Sequence, residues 1–208
     1  MPYQPLVLDP LTPPSVRRLI SRLEGLSFSD VHTMLRLPQP ASNLTAGCNF
    51  AVAYVLLAAV GGISTTLYRQ GKTDGERFKG LLTDHYPWNL EPIQHVGSVE
   101  ASRIIYEVFR NPLTHDLGLD LRGKAKGLKV VVKRLQSPAQ GGGLPEQWIE
   151  NLERGRARPN MSSTVSVREN GRALLVEALY WGLRRMVEAM TRDTHLMAKA
   201  ERFLANRI

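Results

Sequence analysis

The sequence contains a single cysteine, Cys48, among its 208 residues. One thiol excludes an intramolecular disulfide framework and a cysteine-rich metal site, and it is typical of proteins from a reducing compartment. The first residues, MPYQPLVLDPLTPPS, include Asp9 and several prolines, and they lack a basic segment ahead of an apolar core. Because a signal peptide requires both features, we expect a cytoplasmic protein.

Charged residues are missing between Leu37 and Arg69, where the segment FAVAYVLLAAVGGI is continuously apolar. A transmembrane helix is therefore one interpretation. The apolar run is shorter than the ~20 residues that a bilayer requires, and the pair Gly61-Gly62 interrupts it. We instead predict a buried central helix that begins near Asn43, and no association with a membrane.

Several catalytic patterns are also absent. The glycines at 141–143 are not followed by Lys and Ser or Thr, so they do not form a phosphate-binding P-loop. The five histidines form no i, i+4 pair on a predicted helix, and no carboxylate or thiol stands near them at the spacing of metal ligands. The sequence therefore predicts no metal site and no cofactor.

The apolar residues that are present mostly recur at helical spacing, which predicts a mainly helical protein. Besides the central helix, the main predicted helices are TPPSVRRLISRLEGL, TDGERFKGLLTDHYPW, SVEASRIIYEVFR and GRALLVEALYWGLRRMVEAMTRD. Two β-branched segments, KGLKVVVKRLQ and SSTVSVRE, predict the strands of a small ribbon. We thus predict an all-α bundle forming a single domain over residues 1–208, with a β-ribbon insertion at about 122–170 before the last long helix.

The net charge of +8 lies entirely in the second half of the chain. Residues 1–100 carry 8 Lys+Arg and 8 Asp+Glu, whereas residues 101–208 carry 19 and 11. This asymmetry suggests an anionic partner such as RNA. Four cations in an acid-free stretch are candidates for contacts with an RNA backbone: Arg122, Lys124, Lys126 and Lys129. Alternatively, they solvate an edge strand and protect it from aggregation.

The segment VFRNPLTHDLG combines an arginine and a histidine at the end of a predicted helix. Arg103 and Arg110 are predicted on the solvent side of that helix, where Arg103 adds to the candidate nucleic-acid contacts. In one unbroken α-helix, Arg110 and His115 would lie ~140° apart around the axis and could not share a target. Because the residue before a proline avoids the α region, we predict that the helix breaks at Asn111 and lets both side chains converge.

Arg110 and His115 suit metal-independent cleavage of RNA. A histidine with a pKa near 6.5 can move the proton of the 2′-hydroxyl or protonate the leaving oxygen. An arginine is always charged and presents a bidentate fork to the phosphate oxygens. Asn111 either orients a phosphate oxygen or His115, or caps the next helical turn at Pro112; we favour the cap.

The hexapeptide RNPLTH resembles the signature of the HEPN superfamily, in which an arginine, commonly followed by a polar residue such as asparagine, precedes a histidine by four to six positions. The similarity extends over roughly residues 43–120, and 172–192 is a plausible fourth core helix. It is carried by AVAYVLLAAVGGISTTLY, GERFKGLLTDHYP and ASRIIYEVFRNPLTHDLG. The predicted ribbon departs from a minimal four-helix HEPN unit and leaves the subfamily open.

The resemblance implies a homodimer in which two motifs meet across the interface. It also implies a metal-independent endoribonuclease of a toxin-antitoxin or antiphage system, with Arg110 and His115 as catalytic residues. An antitoxin or a nucleotidyltransferase is then a possible partner. The alternative, from a different functional class, is a non-catalytic HEPN module that binds a nucleotide, a nucleic acid or a protein.

Overall fold

The computed structural model describes residues 3–37, 48–91, 96–115, 129–133 and 163–205. Most of these residues are helical, and the remainder includes a small three-stranded sheet. The prediction of a mainly helical protein with a small β element is therefore confirmed, whereas the β element itself differs from the predicted ribbon. The larger of two hydrophobic clusters gathers buried side chains from the helices and from the inner face of the sheet.

The chain enters the bundle through one continuous helical run. Helix α1 (Pro14–Leu23) is followed directly by a π-helical turn (Glu24–Phe28) and by α2 (Ser29–Arg36). Proline is tolerated at the start of α1 because the first N–H groups of a helix have no partner within it. The residues of this run that face the core are fully or almost fully buried: Val16, Ile20, Phe28, Val31 and Leu35.

The central helix is α3 (Asn49–Ile63), which continues through a second π-helical turn (Ser64–Tyr68). It begins at Asn49 rather than near Asn43, and residues 38–47 lie outside the described part of the chain. Its core-facing side packs against α2, α4 and the long C-terminal helix α7 (Val176–Met190). By length and composition the 20 residues from Asn49 to Tyr68 could cross a membrane, but half of them are buried inside the protein.

Helix α4 (Asp74–His85) follows the predicted pattern closely. The Thr73 hydroxyl accepts a hydrogen bond from the Glu76 N–H at 3.2 Å, and Glu76 accepts one from the Thr73 N–H at 3.0 Å. This capping box fixes the start of the helix. Its predicted inward residues are all buried: Phe78, Leu81 and Leu82.

The helix that carries the Arg–His motif does not break at Asn111. Helix α5 (Ser98–Ile104) passes into a third π-helical turn (Ile105–Arg110) and then into α6 (Asn111–His115). Asn111 has φ −63° and ψ −49°, and its N–H bonds to the carbonyl of Tyr106, five residues earlier. In an α-helical ladder the ring of Pro112 would clash with the carbonyl four residues before it. The wider turn accommodates the proline, and the predicted break is therefore wrong.

The sheet contains β1 (Lys129–Lys133), β2 (Val165–Arg168) and β3 (Gly171–Leu175). Strand β3 lies in the middle, parallel to β1 and antiparallel to β2. The predicted two-stranded ribbon is therefore wrong, because the two predicted strands each pair with Gly171–Leu175 rather than with one another. Pairing on both sides satisfies the backbone groups of β3 and buries Leu174 completely. Helix α7 begins only at Val176, and α8 (Thr194–Ala205) follows it.

Candidate functional site

Arg110 lies at the end of the third π-helical turn, half-buried rather than fully on the solvent side. Its Nη1 donates a hydrogen bond to Asn111 Oδ1 at 3.1 Å. Its guanidinium carbon lies 5.4 Å from the centre of the Tyr106 ring, within the range of a cation–π contact. Two neighbours on the same helical run therefore orient this cation.

Tyr106 is in turn fixed by α4. The centre of its ring lies 5.3 Å from that of Phe78, which is buried in the core. Its hydroxyl lies against Gly75, where a Cβ atom would come within 2.8 Å of the tyrosine oxygen. Because only glycine leaves this space, the first turn of α4 determines where Tyr106 lies. Tyr106, in turn, holds Arg110 in place.

Arg110 and Tyr106 line a pocket of about 310 Å³ between α3, its π-helical turn and α4. The polar side chains on the other walls include Ser64, Thr65 and Asp74. The Ser64 hydroxyl donates to the Gly61 carbonyl at 2.8 Å, and Asp74 binds Arg77 at 3.2 Å. Among the described lining residues, Arg110 is the only cation. The pocket can therefore offer its guanidinium to an anion such as a phosphate group.

His115 is the last residue of α6. Its side chain lies outside the described part of the structure. In the α-helical turn that joins the two positions, five residues correspond to ~140° around the axis. Since the helix is not broken at Asn111, the backbone of one chain does not direct Arg110 and His115 to the same side.

Asn111 is not a helix cap. A capping residue has non-helical dihedral angles, whereas Asn111 is helical and lies inside a continuous run. Its side chain instead accepts the hydrogen bond from Arg110. The favoured interpretation as a cap is therefore wrong, and the contact makes Asn111 a neighbour that holds the arginine.

Arg103, which lies about two helical turns before Arg110, binds two carboxylates. Its guanidinium donates to Glu100 and to Glu107, with nitrogen–oxygen distances of 2.7 Å to each. Lys79 lies 3.9 Å from the other oxygen of Glu107. The hydrogen bond from Arg103 holds the pKa of the Glu100 carboxyl below its usual value, and both carboxylates raise the pKa of Arg103. A phosphate at Arg103 would have to compete with these two partners.

The acid-free stretch falls mostly outside the described residues. Arg122, Lys124 and Lys126 belong to the undescribed part of the chain, and only the backbone of Lys129 is placed, at the start of β1. Within the described sheet β1 is an edge strand. An edge is where lysines also serve to discourage aggregation, so both interpretations of this stretch stay open.

The sequence alone did not indicate the other walls of the pocket. Asp74, Ser64 and Thr65 belong to other helices, and no local spacing links them to the motif. The i, i+4 spacing of Tyr106 and Arg110 was the one available signal.

In the described part of the chain, no group of three or more His, Cys, Asp or Glu side chains is placed to bind a metal ion. Comparisons of the chain with protein-family models, curated proteins and solved structures give no match.

Proposed function

We propose that the chain is a HEPN-like, dimeric, cytoplasmic protein that cleaves RNA without a metal ion through Arg110 and His115. One observation supports it most: a half-buried arginine, held by Tyr106 and Asn111, lines a pocket large enough for a phosphate group and stands five positions before a histidine on the same helical run. Negative charge develops on the phosphate oxygens in the transition state. A guanidinium that is already oriented stabilises this charge without rearranging.

In this reaction the 2′-hydroxyl oxygen of the RNA attacks the adjacent phosphorus, and the bond to the 5′-oxygen of the next nucleotide breaks. Arg110 binds the phosphate oxygens, on which negative charge grows in the transition state. The 2′-hydroxyl loses a proton and the departing 5′-oxygen gains one; His115 carries out one of these two transfers, and water carries out the other. The products carry a 2′,3′-cyclic phosphate and a free 5′-hydroxyl.

A second copy of the chain is needed because the unbroken helix directs positions 110 and 115 to different sides. The exposed face of α3 is suited to receive it, since it is uncharged and carries Tyr54, Ala58 and Gly62. Ala58 also lines the Arg110 pocket, together with Gly61 on the same helix. An uncharged helix face with small side chains is suited to close packing against a second copy of the chain. A two-fold arrangement in which Arg110 of one chain lies beside His115 of its partner would complete the site.

The proposed dimer is expected to be the species seen by light scattering at micromolar concentration. Ala58→Glu places a charge on the exposed face of α3 and should convert it to a monomer with a helical circular dichroism spectrum that is unchanged. Ala198→Glu is the matched control, because Ala198 is also exposed but lies on α8. A wild-type monomer, or a dimer that Ala58→Glu leaves intact, would rule out this interface.

The rival function is a HEPN-like module that binds a nucleotide, a nucleic acid or a protein partner without cutting. The continuous helix supports it, because one chain alone does not bring Arg110 and His115 together. In either case Arg122, Lys124, Lys126 and Lys129 would supply contacts along an RNA backbone. An acidic antitoxin or a nucleotidyltransferase would be a suitable protein partner for the excess of positive charge in the second half.

A further inference from the structure

A second pocket, of about 380 Å³, lies between α3 and the helical run that begins with α1. Four residues of that run line it at i, i+3, i+4 and i+7, a spacing that places them on one side of the run: Leu19, Arg22, Leu23 and Leu26. The exposed Ala58 and Gly62 line it from α3. Because these two positions carry little or no side chain, the wall of α3 is low and a groove remains beside the leucines. We call it the α1–α3 groove.

The floor of the α1–α3 groove belongs to the hydrophobic core. Ile20, Ile63 and Leu67 line it and are fully or almost fully buried. Leu26, by contrast, keeps 75% of its surface exposed at the opening. Exposed apolar surface around a concavity is typical of ligand-binding grooves, and the volume lies within the range of small-molecule sites. The groove is therefore suited to a hydrocarbon group.

One cation stands at the opening of the groove. Arg22 is exposed, and it is the only charged residue among the described lining residues. Its guanidinium makes no hydrogen bond or ion pair within the described ranges. The acid nearest to it in sequence, Glu24, is buried and accepts hydrogen bonds from the Tyr3 hydroxyl and the Leu6 N–H. An arginine can lay its methylene stem along apolar surface and keep its charge in water. Arg22 is therefore available to an anionic group at this opening.

We infer that the α1–α3 groove binds a fatty acid, with the hydrocarbon chain along Leu23 and Leu26 and the carboxylate at Arg22. An apolar cavity with one cation at its opening is complementary to a chain with one anionic end. The concave shape favours a single chain over a membrane surface, which binds apolar side chains that project from an amphipathic helix. The groove shares only Ala58 with the Arg110 pocket among the described lining residues. The inference depends neither on RNA cleavage nor on the dimer.

Calorimetric titration with decanoate, below its micellar concentration, tests the inference. Decyltrimethylammonium is the comparison ligand, because it has a ten-carbon chain and the opposite charge. Decanoate should bind more tightly, and each methylene removed from its chain should weaken binding about fourfold. Arg22→Ala should weaken decanoate binding by up to about fivefold, the effect of an exposed ion pair.

A charge reversal tests the position of the carboxylate. Arg22→Glu should make decyltrimethylammonium the tighter ligand, because the charge at the opening changes sign. Arg18→Glu is the matched control, since Arg18 is also an exposed arginine of α1 but does not line the groove. This variant should still prefer decanoate.

Gly62→Leu tests the position of the hydrocarbon chain. A Cβ atom at Gly62 would have nothing within 4 Å, so the larger side chain can be accommodated and should fill the groove. Gly61→Leu is the matched control, because a Cβ atom there also has nothing within 4 Å but Gly61 does not line the groove. Decanoate binding should be lost in Gly62→Leu and kept in Gly61→Leu. Circular dichroism should show that both variants are folded.

Three results would overturn the inference. The first is a wild-type protein that does not bind decanoate below its micellar concentration, the second is decanoate binding that survives Gly62→Leu, and the third is an Arg22→Glu variant that still prefers decanoate. If decanoate did not bind and Gly62→Leu converted a dimer to a monomer by light scattering, the groove would instead receive a second copy of the chain.

Discussion

Replacing Arg110 or His115 by alanine is expected to lower the rate of RNA cleavage by roughly 10²- to 10⁴-fold. His115→Ala removes the group that transfers a proton, which accounts for a loss of this size. Arg110→Ala removes the guanidinium that stabilises charge on the phosphate oxygens, with a comparable effect. Arg110→Lys should recover only part of the activity, because the ammonium keeps the charge but lacks the planar fork. The measurement is the initial rate of cleavage of a labelled RNA.

Four further measurements accompany this experiment. Arg192→Ala removes an exposed arginine that begins no motif and should leave the rate unchanged. Thermal unfolding should show that Arg110→Ala and His115→Ala remain folded, since Arg110 is only half-buried and its contacts with Asn111 and Tyr106 lie within one helical run. EDTA should have no effect, and the products should end in a 2′,3′-cyclic phosphate. Activity that survives both alanine substitutions, or a wild-type dimer that cuts no RNA, would leave only the binding module.

Gly182→Ala is expected to destabilise the protein by about 3 kcal/mol or more, the largest effect that we expect from a single methyl group. A Cβ atom at this position in α7 would lie 2.1 Å from the ring and the hydroxyl of Tyr86. Tyr86 cannot move aside, because it is buried and its hydroxyl bonds to Thr164 Oγ1 at 2.6 Å and to the Ala178 carbonyl at 3.0 Å. Overpacking costs roughly 1–3 kcal/mol, and broken buried hydrogen bonds add to it.

Urea denaturation of Gly182→Ala tests this packing, with Gly25→Ala as the matched control. Gly25 is also a helical glycine, but a Cβ atom there would have nothing within 4 Å. Since alanine restricts the unfolded chain more than glycine does, Gly25→Ala should stabilise the protein by about 0.4–1 kcal/mol. If Gly182→Ala left the midpoint unchanged or raised it, the contact between Tyr86 and α7 would not be as close as described.

The elements that could be predicted from the sequence are those with local signals. The capping-box residues Thr73 and Glu76 indicate the start of α4, and the 3.6-residue repeat of apolar side chains identifies the helices. The π-helical turns could not be predicted, because π-helices are rare and occur as single turns inside α-helices. The turn before Pro112 is the important case, since it allows the helix to continue where a proline normally ends it.

Strand β3 was missed for a different reason. Its residues, GRALL, run without a turn signal into the apolar start of α7, and a short apolar run does not distinguish a strand from a buried helix. Only pairing with β1 and β2, which are distant in sequence, selects the strand. The Arg110 pocket could not be predicted for the same reason. Three of its walls come from α3, its π-helical turn and α4, which are distant from Arg110 in sequence. Local spacing can indicate the arginine but not what surrounds it.

The most direct test of the proposed site is a mixed dimer. Arg110→Ala and His115→Ala chains are co-expressed with different tags, and the cleavage rate of the mixture is compared with each variant alone. If Arg110 of one chain acts with His115 of its partner, half of the dimers are mixed and each keeps one complete site, so about a quarter of the wild-type rate should return. A mixture as inactive as its parent variants would contradict a site shared between two chains.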